Sequence, residues 1–327
     1  MKQTILVTGG AGYIGSLMVK KLVEEDYSVV VVDNLSGGEK NAVDTKAKLI
    51  VTDLSDRKAI CDIFQKYSCE AVLHFAGVIA MGESMKDPGK YFKINVFNTL
   101  NLLEEMVANN VNKLIFSSTA GVYGNPETLP IPENHPKNPT NPYGESKFIV
   151  EKILGWYDKI YKIRSISLRY FNACGAAIDG SLGENHNPET HIIPLAMKAL
   201  LDDKVLKLFG DDYKTKDGTC VRDYIHIEDL CRAHLLALRA LARGQQTTQY
   251  NVGTGEGYSN KEVLETIESV TGRKMRIETA PRRPGDVDEL VADPGKIKKE
   301  LGWKPEYSDL RTIVETAWEW HKAHPHG

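Results

Sequence analysis

Through its first 170 residues the chain repeats one rhythm: a short apolar run rich in Val and Ile, a polar turn, then a longer amphipathic stretch. The runs ILVTG (5–9), SVVVVD (28–33), KLIVTD (48–53), AVLHFAG (71–77), KLIFSS (113–118) and RSISLRYF (164–171) read as strands buried on both faces, as in a parallel sheet. Between the first two, Ile14, Leu17, Met18 and Leu22 recur at helical spacing, and residues 55–67, 89–109 and 142–161 also carry helical patterns. Strands alternating with helices predict an α/β fold of Rossmann type, a doubly wound parallel sheet with helices on both faces.

After Phe171 the rhythm breaks. Residues 172–190 are small and polar and read as a loop leading to a smaller C-terminal lobe. Later, RDYIHIEDLCRAHLLALRAL (222–241) reads as a short strand feeding a helix, and YNVGTGEG (250–257) as a strand and turn. The expected division is a nucleotide-binding domain over 1–171, with contributions from about 220–252, and a partly interleaved substrate-binding domain mainly over 172–327.

The chain has 327 residues, long for one ordinary core, with 42% hydrophobic and 26% charged positions. A net charge of −3 supplies no basic field for nucleic acid or anionic lipid, so neither is an expected partner. The apolar run near the N-terminus is too short for a signal peptide, and no run of 18 apolar residues appears, so no membrane span is expected. The five cysteines are odd in number and form no C-x-x-C pair, which fits a reducing cytoplasm. The nine histidines are scattered with no H-E-x-x-H spacing, and no metal is expected; His74, in a predicted buried strand, reads as a core residue.

Residues 8–15, TGGAGYIG, place Gly9, Gly12 and Gly15 three apart, after a strand and before a helix. Glycines there let backbone turn tightly and approach a pyrophosphate, whose charge meets the N–H groups and positive end of the helix. Asp33 closes the second strand, where its carboxylate accepts hydrogen bonds from a ribose and repels a 2′-phosphate, favouring NAD over NADP. Asp53, Leu54, Phe75, Ala76 and Gly77 end further strands at the same carboxyl edge.

In NPYGESK (141–147), Asn141 is a good N-cap and Pro142 suits the first helical position. Tyr143 and Lys147, four apart, then share a helix face. Random placement of 14 tyrosines among the lysines predicts about one such pair, so the pair has meaning only beside a dinucleotide. Bringing a phenol from a pKa near 10 to about 7 takes roughly 4 kcal/mol. A cation about 4 Å away at an effective dielectric of ~20 supplies about that much. Lys147, with an oxidised nicotinamide, would make Tyr143 a general base for an alcohol. Ser117, Ser118 and Thr119 end a predicted strand where hydroxyls reach a substrate oxygen.

Together, TGGAGYIGS, VVDNLS, LHFAG, FSSTAGVYG, NPYGESK, LRYFN, GTCVRDYIH and APRRPGD resemble, in order along essentially the whole chain, the extended short-chain dehydrogenase/reductase family and within it the UDP-galactose (UDP-glucose) 4-epimerases. The resemblance implies NAD as cofactor, a UDP-hexose substrate, a homodimer and interconversion of UDP-galactose and UDP-glucose through a 4-keto sugar. It implies Tyr143 as base, Lys147 as its electrostatic partner and Thr119, where many relatives have serine, as the hydroxyl on the reacting oxygen. Tyr13, Ile14, Asn34, Ser36, Asn95, Ser117 and Tyr170 join the expected cofactor contacts. Phe171, Asn172, His191, Phe209 and Tyr224 are expected around the substrate, with Arg222 and Arg283 on the diphosphate and Asp286 on a ribose. Guanidinium groups suit phosphate oxygens, and the chain has only 12 arginines to supply them. Ile79 and His191 stand where some epimerases carry Lys and Asn. Leu290 stands where the family varies residue size to admit or exclude an N-acetyl group.

Two rivals share the scaffold. A 4,6-dehydratase or decarboxylase needs an acid just after the serine/threonine, where this chain has Ala120, Gly121 and Val122. A silent dinucleotide sensor would need the glycine loop but not Tyr143, Lys147 or the arginines.

Overall fold

The computed structural model describes residues 2–283 and 285–325; Pro284, within the APRRPGD segment, lies outside the described residues. In chain order the first half comprises β1 (Thr4–Thr8), α1 (Tyr13–Glu24), β2 (Ser28–Asp33), β3 (Lys48–Val51), α2 (Arg57–Lys66), β4 (Cys69–His74), the single turns α3 (Met81–Ser84) and α4 (Pro88–Tyr91), α5 (Asn98–Ala108), β5 (Lys113–Thr119), α6 (Pro142–Tyr161) and β6 (Arg164–Tyr170). The second half adds β7 (Asn172–Cys174), α7 (Ile192–Leu201), β8 (Val205–Phe209), β9 (Val221–Arg222), β10 (Tyr224–His226), α8 (Ile227–Ala242) and β11 (Thr248–Val252). It closes with β12 (Tyr258–Ser259), α9 (Asn260–Thr271), β13 (Arg276–Ala280), β14 (Glu289–Leu290), α10 (Gly295–Leu301) and α11 (Leu310–Ala323).

The chain divides into two compact units. The first holds residues up to Tyr123, Lys137–Arg169 and Cys231–Tyr250. Its sheet runs β11-β6-β5-β4-β1-β2-β3, and the pairs from β5 to β3 are parallel. The Rossmann-type fold read from the strand–helix rhythm is therefore present. Strand order reverses between β1 and β4, and in such sheets that reversal opens a crevice at the carboxyl ends of the strands. Burial explains the apolar runs: Leu6, Val30, Val32, Val72, Leu114 and Phe116 pack with Ile60, Phe64, Leu102, Leu103 and Met106 of α2 and α5 in one core. His74 belongs to this interior as expected. Its ring nitrogens meet the hydroxyls of Thr8 (2.6 Å) and Thr99 (2.8 Å), and burial pushes the imidazole down to about 3, so it is neutral.

Two elements differ from expectation. The pattern over 89–109 predicts one helix, but Phe92–Phe97 wind as a π-helix between α4 and α5. Asn95 within it is almost fully buried, and the wider turn spends its side chain on neighbouring elements instead of solvent. Residues 172–174 form β7 rather than loop, pairing in parallel with β10. Their short, small side chains hide a strand from period counting.

The second unit comprises Gly124–Pro136, Tyr170–Leu230 and Asn251–Gly327. Its core packs Met197, Leu264, Ile267, Ile313, Val314 and Trp318 from α7, α9 and α11. Asp229 organises the chain ahead of α11 by accepting hydrogen bonds from the backbones of Glu306 and Tyr307 (both 2.8 Å) and the Ser308 hydroxyl (2.6 Å).

Beneath α6 the first unit buries an ion pair. Arg169 grips Glu151 through Nε and a terminal nitrogen, Glu151 also accepts from the Ser118 hydroxyl (2.6 Å), and Arg169 donates to the Tyr123 hydroxyl (2.9 Å). Both charged side chains are at most 4% exposed. Losing one partner strands a buried charge, whereas losing both does not. Glu151→Ala is expected to cost about 3 kcal/mol in urea unfolding, and a Glu151→Met/Arg169→Met double variant far less; equal losses would contradict this account.

Candidate active site

The glycine loop is fixed by close backbone approach. Gly9 has φ +72°, and a Cβ on it would stand 2.5 Å from the Ala76 nitrogen, so the turn after β1 lies directly against the turn after β4. A Cβ on Gly15 would stand 2.1 Å from the Gly9 carbonyl oxygen. Gly12 is the N-cap of α1 and offers no side-chain cap, which leaves the helix N-terminus to other acceptors. Asp33 braces this loop: its carboxylate accepts from the backbone N–H of Ala11 (2.9 Å) and Leu35 (2.8 Å). Asn34 and Ser36 follow, with the Ser36 N–H donating to the Asn34 side chain (3.0 Å).

Asp53 accepts from the side chains of Asn34 (2.5 Å) and Asn98 (3.3 Å) and the Ser55 N–H (2.8 Å). Burial works to raise its pKa, but these hydrogen bonds outweigh it and hold the carboxyl below its usual range. Leu54 is buried, and Phe75 packs against His234 with centroids 4.8 Å apart and the rings tilted by 39°. Tyr13 and Ile14 open α1 and are half-buried.

The tyrosine and lysine sit where the helix signals place them. Asn141 caps α6 by accepting from the Gly144 N–H (2.9 Å), and Pro142 occupies the first turn. Lys147 is 2% exposed, yet its ammonium donates to the Ser117 carbonyl (3.0 Å) and lies 5.0 Å from the centre of the Phe116 ring. Burial pushes it down to about 8, so it remains mostly protonated at neutral pH. Tyr143 is buried as well. Burial raises its pKa, and the hydrogen bond with Thr119 only partly opposes this. Thr119 also accepts the Gly121 N–H (3.0 Å), capping the turn Ala120–Val122, which carries no acid.

Asn95 joins three parts of this unit. Its carbonyl accepts the Val78 N–H (2.8 Å), and its amide donates to the Val78 carbonyl (3.0 Å) and the Ser146 hydroxyl (2.9 Å). Gly77 leaves the room this needs, since a Cβ there would stand 2.9 Å from Asn95 Oδ1 and 3.4 Å from Lys147 Nζ.

In the second unit, Asn172, His191 and Tyr224 line one small cavity with Cys174 and Glu184. The Tyr224 hydroxyl is buried and makes no hydrogen bond within the protein. Arg283 lies 3.2 Å from Asp286, and Arg222 lies 3.9 Å from it on the other carboxylate oxygen. Arg283 also covers the Phe209 ring at 5.2 Å. Leu290 pairs in register with Arg222. Phe171 and Tyr170 are half-buried, and Ile79, in the first unit, is exposed. Burial would neutralise His191, but the Glu184 carboxylate beside it (2.5 Å) outweighs this and raises its pKa, while Arg283 opposes.

Residues 5–253 match the NAD dependent epimerase/dehydratase family. The chain belongs to that family. It is 46% identical over 325 residues to a UDP-glucose 4-epimerase of Lacticaseibacillus casei, covering 99% of this chain and 98% of the relative. A crystal structure of a UDP-glucose 4-epimerase superposes with a TM-score of 0.96 at 48% identity, covering 99% of both chains. The Bifidobacterium longum UDP-glucose 4-epimerase, solved with NAD+ and UDP, gives a TM-score of 0.95 at 37% identity over 99% of this chain and 100% of that one.

Membership of an NAD-dependent family makes NAD the cofactor, and the loop fits it. The tight Gly9–Gly15 cradle and the uncapped start of α1 suit a pyrophosphate. Gly9, Gly15, Phe75–Gly77, Asn95, Ser117, Thr119, Tyr143 and Lys147 come together within the first unit through the contacts above. Sequence reading missed Ser146, the partner of Asn95, and the Ser118–Glu151–Arg169 network. Glu151 alone had a legible signal, being four residues beyond Lys147 on the same helix face. Because a Cβ on Gly15 meets carbonyl oxygen, Gly15→Ala is expected to yield protein carrying at most a tenth of the wild-type bound nucleotide, read by absorbance of the acid-released cofactor. Full occupancy would overturn the cradle assignment.

Proposed function

We infer that the protein interconverts UDP-galactose and UDP-glucose by NAD-dependent epimerisation at C4′ of the sugar. The single observation that carries this reading is the buried Lys147, held on the Ser117 carbonyl one helical turn from a Tyr143 that hydrogen-bonds Thr119, on a family scaffold whose full-length relatives include UDP-glucose 4-epimerases. Held by the Gly9–Gly15 loop and Asp33, NAD would supply a reversible hydride acceptor for C4′, so that the reaction involves no net oxidation.

The chain's own residues handle the proton and the substrate. Tyr143 takes the proton of the 4′-hydroxyl and gives it back, the Thr119 hydroxyl hydrogen-bonds the same oxygen, and the Lys147 ammonium stabilises the phenolate. Burial raises the Tyr143 pKa, and a cationic nicotinamide ring held beside it would, with Lys147, supply the positive charge that favours its phenolate. Asp33, Asn34 and Ser36 would hold the adenosine ribose, Asp53 and Leu54 the adenine side, and Phe75, Ala76 and Gly77 the crevice wall; Tyr170, the other expected cofactor contact, falls in the second unit. Asn95 acts through Ser146 and Val78 as a positioning residue.

In the second unit, Arg222 and Arg283 would bind the diphosphate, Asp286 a ribose, and Phe209 the uracil side. Phe171, Asn172, His191 and Tyr224 would surround the sugar, and the unpaired Tyr224 hydroxyl supports a ligand partner there. Leu290 would set how much bulk is admitted at C2. The first unit thus serves as the NAD-binding domain and the second as the UDP-sugar-binding domain. The five cysteines form no disulfide, in keeping with a cytoplasmic enzyme, and no described helix is long and apolar enough to cross a membrane.

Purified protein incubated with UDP-galactose, without added cofactor, is expected to form UDP-glucose, resolved chromatographically. Parallel incubation with UDP-N-acetylgalactosamine reports what Leu290 permits. Tyr143→Phe should lower kcat by at least about 100-fold with KM little changed; full turnover by that variant would sink the assignment of Tyr143 as the base, and no turnover by the wild-type protein would favour a non-catalytic sensor.

A homodimer is the proposed assembly. Trp156 and Ile160, four apart on α6, are each 61% exposed, and Phe97 is 53% exposed, leaving apolar surface on elements that pack together. Sedimentation should give twice the chain mass, and Trp156→Glu/Ile160→Glu should halve it. A wild-type monomer would exclude this face as a subunit contact.

A further inference from the structure

Glu184, His186, Glu189 and His191 lie on one loop ahead of α7, spaced two, three and two residues apart, with one ligand atom from each within 4.8 Å of all the others. Glu184 Oε1 is 2.5 Å from His191 Nδ1 and 3.1 Å from His186 Nδ1. Glu189 completes the ring, its Oε1 3.7 Å from His191 Nδ1 and its Oε2 3.8 Å from His186 Nδ1. A tetrahedral zinc-class ion, with ligand bonds of about 2.0–2.1 Å, separates its ligand atoms by roughly 3.3 Å. The Glu184 contacts are shorter than that and are contacts an ion would replace, and the Glu189 contacts, made by different oxygens, are longer, so the four side chains bracket the spacing without yet adopting it.

A second observation points to a ligand. The Glu189 side chain is only 4% exposed, and its Oε1 is fixed by the N–H groups of Thr190 (2.7 Å) and His191 (2.9 Å). Its Oε2 is buried and accepts no hydrogen bond from the described residues, His186 Nδ1 at 3.8 Å being too far to donate one. A buried carboxylate oxygen without a donor is costly, and a cation removes that cost. Two imidazole nitrogens and two carboxylate oxygens are borderline donors suited to zinc, and the carboxylates offset its two charges.

We propose that Glu184, His186, Glu189 and His191 form a site for a divalent zinc-class ion. Two of the ligands, Glu184 and His191, line the same small cavity as Asn172 and Tyr224, so the ion would stand beside the proposed sugar contacts. Its competitor is the proton: histidine–carboxylate ion pairs use the same contacts, so an ion binds by displacing protons from the imidazoles. Arg283 beside His191, and Cys174 and His321 near Glu184, complete the charged and titratable surroundings. The loop spacing matches no familiar metal signature, and only the folded loop turns four ligand atoms to one point.

The test titrates EDTA-treated full chain with Co²⁺ alone at pH 8 and follows visible absorption. One equivalent per chain is expected, with the intense bands of four-coordinate cobalt and no near-ultraviolet thiolate charge-transfer band. His186→Ala and Glu189→Gln should each weaken binding at least about tenfold. His186→Gln, which retains a hydrogen-bonding amide, should do the same and covers failure of the alanine variant to fold. No binding, binding with a thiolate band, or unchanged affinity in these variants would overturn the proposal.

Discussion

An ammonium group buried under a helix is the constraint around which the first unit is arranged. Lys147 has lost nearly all its solvent, and only the Ser117 carbonyl replaces that water directly. Such a charge persists where backbone is rigid enough to hold an acceptor at hydrogen-bonding distance. Here Ser117 belongs to an interior strand, and α6 is locked to that strand again one turn later, where Glu151 meets Ser118. The Arg169 guanidinium then neutralises Glu151. A poorly anchored helix would let Lys147 turn out to water and lose the pKa of about 8 that burial imposes.

The same demand for fixed backbone explains the glycine contacts. The turns after β1 and β4 touch at Gly9 and Ala76, and Gly77 leaves room for both Lys147 and Asn95. Asn95 then ties the second turn to α6 through Ser146. The glycine loop and α6 are therefore parts of one braced assembly. The same burial that fixes α6 raises the pKa of Tyr143.

Sequence patterning identified the strands and helices that carry the site because buried parallel strands are continuous apolar runs and helices announce their starts. Asn141 and Pro142 gave the start of α6, and hence the facing of Tyr143 and Lys147. The π-helix at Phe92–Phe97 and the short β7 escaped, the first because hydrogen-bond spacing leaves no mark in apolar periodicity, the second because three small residues carry no period.

The sequence by itself determined the alternation of elements, the glycine turn and the helical register of Tyr143 and Lys147, since these depend on neighbours within a few positions. Tertiary structure alone decided that Asn95 spends its amide on Ser146 and Val78, that Arg169 finds Glu151, and that burial raises the pKa of Tyr143. Those outcomes depend on desolvation and on partners distant along the chain, which local pattern does not encode.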